Sequence, residues 1–180
     1  MRLLKLLSIL LILVLAACQR TNLDVKTAVL DRALPDETSY NISIREYKGQ
    51  YLDYIMQAAK VERFYDRKIL NAYKVIINSY DEAGNISSTM LADTTIVDDA
   101  RNIIFANGNV KLSSSNGIVS SNRLIWDRGA DEITSPSSVT LVRDGNVLRG
   151  QSLRTNSSIS YAEMDAVSAE GVVSETDIAW

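Results

Sequence analysis

Histidine is absent from the 180 residues, and cysteine occurs once, at Cys18. Without imidazole there is no Ser-His-Asp or Cys-His nucleophile, no His-ligated zinc and no histidine pH switch. A lone thiol cannot close an internal disulfide. The chain also lacks a basic run: once Arg2 and Lys5 leave with the N-terminal segment described next, 17 basic side chains face 22 acidic ones, a net charge near −5. That balance opposes the phosphate-neutralising surface that nucleic acid requires, so nucleic acid is excluded as a partner. Clustered acids and aromatics of a glycan-cleaving site are missing too. Asp98-Asp99 and Asp131-Glu132 adjoin turns, where carboxylates are ordinarily solvated, and show no sign of the paired separation across a cleft that hydrolysis needs.

What is present begins with a short basic start, Met1 to Lys5, followed by an apolar run from Leu6 to Leu15 interrupted at Ser8, then Ala16 and Ala17. The run falls short of the about 20 residues that cross a bilayer and has the form of an export signal. Leu15-Ala16-Ala17-Cys18 resembles the bacterial lipobox, in which the cysteine sulfur takes a diacylglycerol and becomes the first mature residue. An ordinary signal peptide ending beside a cysteine is the alternative. Several acyl chains would anchor the chain firmly, since each buried CH2 contributes about 0.8 kcal/mol. The expected organisation is a lipoprotein signal peptide over 1–17, a lipidated tether over 18–38, a β-domain over 39–174 and a tail over 175–180.

From Tyr40 onward, segments rich in Val, Ile, Tyr, Thr and Ser alternate with turn signals at Lys48-Gly49, Glu82 to Asn85, Ala106 to Asn109, Asn116-Gly117, Arg128 to Asp131 and Asp144 to Asn146. Gly, Asn and Asp accept the positive φ of tight hairpins. Period-two alternation groups Val75 with Ile77, Val110 with Leu112, and Val139 with Leu141, and it places Ile118, Ser120, Asn122, Leu124 and Trp126 on one face. Leu52, Ile55, Met56, Ala59 and Phe64 could also form a helical stripe between Tyr51 and Arg67, but the β-formers there favour a strand. One spacing recurs three times: Ile77, Gly84, Leu91; Val110, Gly117, Leu124; Val139, Asn146, Leu153. Repeats at 33 and then 29 residues mark a stacked array. The fold these signals predict is all-β, an elongated twisted jelly roll or open sandwich of antiparallel strands.

The run Gly108-Asn109-Val110-Lys111-Leu112, then Gly117 to Ser121, Leu124 to Asp127, Ile133 to Ser135 and Val139 to Leu141, resembles the LptC family and the related OstA-like repeat. Tyr80-Asp81 through Gly84 to Leu91-Ala92-Asp93 is similar to an earlier repeat of that family, and Gly150 to Leu153 to a later one, so the likeness covers about residues 35–173. The resemblance implies a non-enzymatic periplasmic component of lipopolysaccharide export. It would accept the glycolipid from an inner-membrane ABC transporter and hand it to a periplasmic bridge protein of the same jelly-roll type. No cofactor and no metal are implied. Better-known members keep an N-terminal transmembrane helix, whereas Cys18 points to a lipid anchor on the periplasmic side of a membrane. The resemblance favours the inner membrane and leaves the outer one open.

The acyl-chain lining expected on this reading is Met56, Val75, Ile77, Leu91, Ile104, Val110, Leu112, Leu124, Trp126, Val139, Leu141 and Leu153. Taken singly, each is an ordinary core position; only the set makes a groove. Asn41 to Tyr47 and Ala166 to Val173 are the expected edge strands. They serve either for strand addition by a partner or, with Arg45, Glu46, Glu163 and Glu170 as charged blockers, for keeping partners off. The competing reading is a membrane-tethered β-scaffold lipoprotein that binds proteins through its edges and holds no lipid.

Overall fold

The computed structural model describes residues 34–170, in a unit that begins at Pro35. The signal segment, Cys18, the tether up to residue 33, and positions 171–180 with the last part of the second expected edge lie outside the described residues. The strands are β1 (Glu37–Lys48), β2 (Tyr51–Phe64), β3 (Ile69–Tyr80), β4 (Ile86–Asp98), β5 (Ile103–Ser114), β6 (Gly117–Asp127), β7 (Glu132–Arg143), β8 (Asn146–Thr155) and β9 (Ala162–Glu170). They form one antiparallel sheet in simple sequence order, so β1 and β9 each have a single neighbour. The fold is all-β, and Tyr51 to Phe64 is strand.

Most of these strands exceed the usual five or six residues, and a bend in mid-strand is what makes their length possible. Pairing is irregular between Leu91 and Thr94 on β4, Asn107 and Val110 on β5, Ser121 and Ile125 on β6, Ser135 and Ser138 on β7, and Gln151 and Leu153 on β8. Lys74, Asn109 and Ser152 take positive φ on the same line. Pro136, which has no N–H for a ladder, sits in one of these gaps, where none is needed. Aligned irregularities crease the sheet across its strands. Each strand thus contributes one half to each of two facing layers, and residues from opposite ends of the sheet meet. Tyr54, near the start of β2, stacks edge-on to Trp126, near the end of β6, with ring centroids 5.8 Å apart.

The crease corrects two expectations. Ala106 to Asn109 is no hairpin turn; it lies inside β5, where Gly108 at φ +74° and Asn109 at φ +47° make the bend. Nor do Ile118, Ser120, Asn122, Leu124 and Trp126 share a face. Val119 is buried before the bend and Leu124 and Trp126 after it, because the irregular residues invert the alternation.

Gly108 has a second constraint. A Cβ there would lie 2.8 Å from Asp93 Oδ2 and 2.9 Å from Asp93 Cβ. Asp93 accepts from Lys74 Nζ at 3.0 Å and from Asn109 Nδ2 at 2.6 Å, contacts that hold its carboxyl below the usual carboxylate range and tie β3, β4 and β5 at the bend. Gly108→Ala is expected to lower stability by at least about 1–2 kcal/mol from the left-handed backbone alone. Urea unfolding of the variant checks this, and an unchanged midpoint would contradict the bend.

Candidate functional site: an apolar interior between two half-sheets

Folding along the crease turns one face of all nine strands inward. Met56, Val75, Ile77, Ile104, Val110, Leu112, Leu124, Trp126, Val139, Leu141 and Leu153 join a single buried cluster with Tyr54, Val61, Met90, Val97, Val119 and Ile133. Each large aliphatic side chain there contributes about 1.5–3 kcal/mol of burial. Leu91 does not belong: it is 39% exposed on the outer face, where it pairs with Ile76, while Met90 and Ala92 point inward. In the two later repeats the third position, Leu124 or Leu153, falls beyond the bend, where the alternation has inverted. Leu91 falls just before it, so the same seven-residue spacing lands on the opposite face.

Other inward positions are not marked by the repeat pattern of the sequence. The faces of Val119 and Met90 depend on where their strands invert, whereas Ile133 keeps the phase of Val139 and Leu141. Ile159 lies in a serine-rich connection with no strand periodicity at all, yet it is fully buried. An isolated aliphatic residue among Asn156, Ser157, Ser158 and Ser160 was the available signal.

The two layers meet at their free ends through polar clasps. Arg128, in the β6–β7 turn, has a side chain only 7% exposed. Its Nη1 donates to the Tyr54 hydroxyl at 2.8 Å and its Nη2 to Asp99 Oδ1 at 3.2 Å. Burial pushes the Tyr54 hydroxyl pKa up, and the guanidinium charge opposes that rise. Farther along, the connection between β8 and β9 is held by Ser114, Asn116 and Arg143 at the other layer's ends. At the bend of β6 and β7, Ser121 Oγ and Ser135 Oγ lie 3.0 Å apart, and Ser135 Oγ donates to the Arg123 carbonyl at 2.8 Å.

The interior is less well covered toward the outer strands. Ile42 and Ile44 on β1, Leu148 on β8 and Ala162 and Met164 on β9 pack against the cluster while only half-buried. The stretches 41–47 and 166–170 form parts of these two outer strands. The surface carries open clefts, such as one of about 440 Å³ at the crease between Asn109, Val110, Lys111, Ser120, Ser121 and Asn122. Among the described residues no cluster of acidic, histidine or cysteine side chains could hold a metal, and no helix is long and apolar enough to cross a membrane. The described residues offer apolar surface and, at β1 and β9, strand edges with no neighbour in the sheet.

These features define a class: a creased antiparallel sheet with an apolar interior and two free edges. The model of the family described as lipopolysaccharide-assembly, LptC-related, matches residues 3–165, and the chain belongs to that family. It is a component of lipopolysaccharide transport and not an enzyme. No curated protein matches it in sequence. Among solved structures it is similar to the crystal structure of LptH, the LptA homologous periplasmic component of the conserved lipopolysaccharide transport device from Pseudomonas aeruginosa. The TM-score is 0.48 and the identity 8%, over 80% of this chain and 98% of that one.

Proposed function

We propose that the protein carries lipopolysaccharide by its acyl chains between the two half-sheets, receiving it from an inner-membrane ABC transporter and passing it to a periplasmic partner of similar fold. The observation that supports this most is the continuous apolar interior, which reaches half-buried side chains at both outer strands in a chain of the LptC-related family. Acyl chains entering there leave water at about 25 cal/mol per Å². An interior with few polar hooks suits a ligand that must slide. The outer strands β1 and β9 supply the unpaired edges for docking by strand addition. Cys18 is the lipid-attachment site, and the anchored protein sits on the periplasmic side of the inner membrane, its tether replacing a membrane helix.

In-cell photocrosslinking tests this reading. A reactive amino acid at Ile44, at the margin of the interior, should give lipopolysaccharide adducts, and one at Arg123, exposed on the outer face, should give none. Adducts at neither position, from folded protein in cells making lipopolysaccharide, would favour a second reading. In that reading the well-filled cluster around Ile104, Leu124 and Ile133, each fully buried, is a plain core. The chain would then be a tethered scaffold that binds proteins through its edges.

A further inference from the structure

The connection from Asn156 to Tyr161 differs from the other hairpin ends. Ile159 has φ +55°, a backbone region that β-branched residues avoid, and its side chain is fully buried in the interior cluster. Strain of this kind costs on the order of 1–3 kcal/mol and persists only where surrounding contacts impose it. Here the contacts come from both layers. Ser114 Oγ, at the end of β5, donates to the Ser158 carbonyl at 2.7 Å, and Asn116 Nδ2 donates to the same oxygen at 2.9 Å. Arg143 Nη2, at the end of β7, donates to the Ile159 carbonyl, and its Nε donates to the Asn116 carbonyl at 2.9 Å. From the connection's own layer, beside the start of β7, Asp131 Oδ1 accepts from the Ser157 N–H at 3.2 Å. Within the segment, the Ile159 N–H donates to the Asn156 carbonyl at 3.0 Å, and Asn156 Oδ1 accepts from the Ser160 N–H at 2.9 Å.

We propose that Asn156–Tyr161 is a releasable strap that closes the side of the interior between β5, β7 and β8, with Ile159 as a plug occupying space an acyl chain takes when the strap swings out. Three features make release inexpensive. Only one large apolar side chain holds the segment in the core. The neighbouring serines and asparagine form hydrogen bonds that water can replace. The backbone at Ile159 relaxes on leaving. Removal of Ile159 also leaves an apolar vacancy in the buried cluster to which it belongs. The ends of the strap stay fixed, because β8 pairs with β7 up to Thr155 and β9 pairs with β8 from Ala162. Release is therefore a local opening that leaves the sheet intact.

The inference rests on the acyl-chain reading of the interior, and its test separates the two. Hydrogen exchange of the full chain is followed with and without lipopolysaccharide, under conditions in which Ile44 crosslinks to the lipid. Amides of residues 157–161 should lose protection on loading while those of β5 and β7 keep theirs. Arg143→Ala and Ser114→Ala each weaken the grip on the strap and should speed loading about fivefold per lost hydrogen bond. Two variants are used because Arg143→Ala alone could unsettle the β7–β8 hairpin. Protection over 157–161 that stays constant or rises in the loaded protein, with unchanged loading rates, overturns the strap while leaving the lipid path standing. Absence of adducts at Ile44 overturns the acyl-chain reading and the strap with it.

Discussion

Replacement of Leu124 by alanine should lower the free energy of unfolding by about 2–5 kcal/mol, the range for a large aliphatic side chain whose site cannot collapse. Leu124 is fully buried, lies opposite Ala106 across β5 and begins the second half of β6 just beyond the crease. Its neighbours belong to two layers held apart by their own strands and clasps, so the cavity would persist. Leu91→Ala is the control. That side chain is 39% exposed on the outer face, and its loss should stay within about 1 kcal/mol. Urea unfolding followed by intrinsic fluorescence measures both. Equal losses would mean that the inward and outward faces on either side of the crease have been assigned wrongly.

Arg128 carries the second large effect. Its guanidinium joins the Tyr54 hydroxyl on β2 to Asp99 in the β4–β5 connection, and so spans the two layers at their free ends. Arg128→Met keeps the stem and removes the donors, leaving the buried phenol without its partner; about 1.5–3 kcal/mol should be lost. Most of that belongs to the Tyr54 contact, because Asp99 is half-exposed and its ion pair is screened by solvent. A double-mutant cycle with Tyr54→Phe isolates the shared term, expected between about 0.5 and 3 kcal/mol. Spectrophotometric titration gives an independent check. With the guanidinium and its hydrogen bond gone, burial and the Glu46 and Asp99 charges raise the Tyr54 pKa unopposed, so its ionisation should move to still higher pH. An unchanged Tyr54 titration, with no coupling in the cycle, would show that the two side chains do not meet.

How much of the fold is legible in the sequence follows from local chemistry. Hairpins at Lys48-Gly49 and Asp144-Gly145 were legible because a two-residue turn needs residues that tolerate positive φ, and a glycine sits in each turn; at Asn116-Gly117 the glycine marked the turn from the first residue of β6. The connections after β2 and β4 were less visible, since Lys68 at φ +53° and Asn102 at φ +61° do the same work without glycine. Gly108-Asn109 misled for the converse reason. A bulge and a turn ask the same of the backbone, and only the partners of β5 on both sides distinguish them. Buried positions were legible where pairs such as Val110 and Leu112 or Val139 and Leu141 stay on one side of the crease. Leu91 was misplaced because its face depends on where the alternation inverts, which is a property of three strands together. Ile159 and the Arg128–Tyr54 contact join parts of the chain that only the crease brings near, so no periodicity could announce them.

The strictly sequential strand order also bears on how the molecule forms and how it has room to vary. Because every strand pairs only with those before and after it, each hairpin closes a short loop, and the ladder can grow from any hairpin by adding the next strand, as a zipper does. Such a ladder could melt piecemeal, one hairpin at a time. The crease opposes this. It brings β2 against β6 through Arg128 and Tyr54, and the β8–β9 connection against β5 and β7, contacts that skip along the ladder and couple distant rungs. A hairpin could be added beyond β1 or β9 without disturbing those couplings, whereas removal of β1–β2 or β8–β9 would take Tyr54 or the β8–β9 connection with it. Gains in length among related chains are therefore expected at the two margins of the sheet.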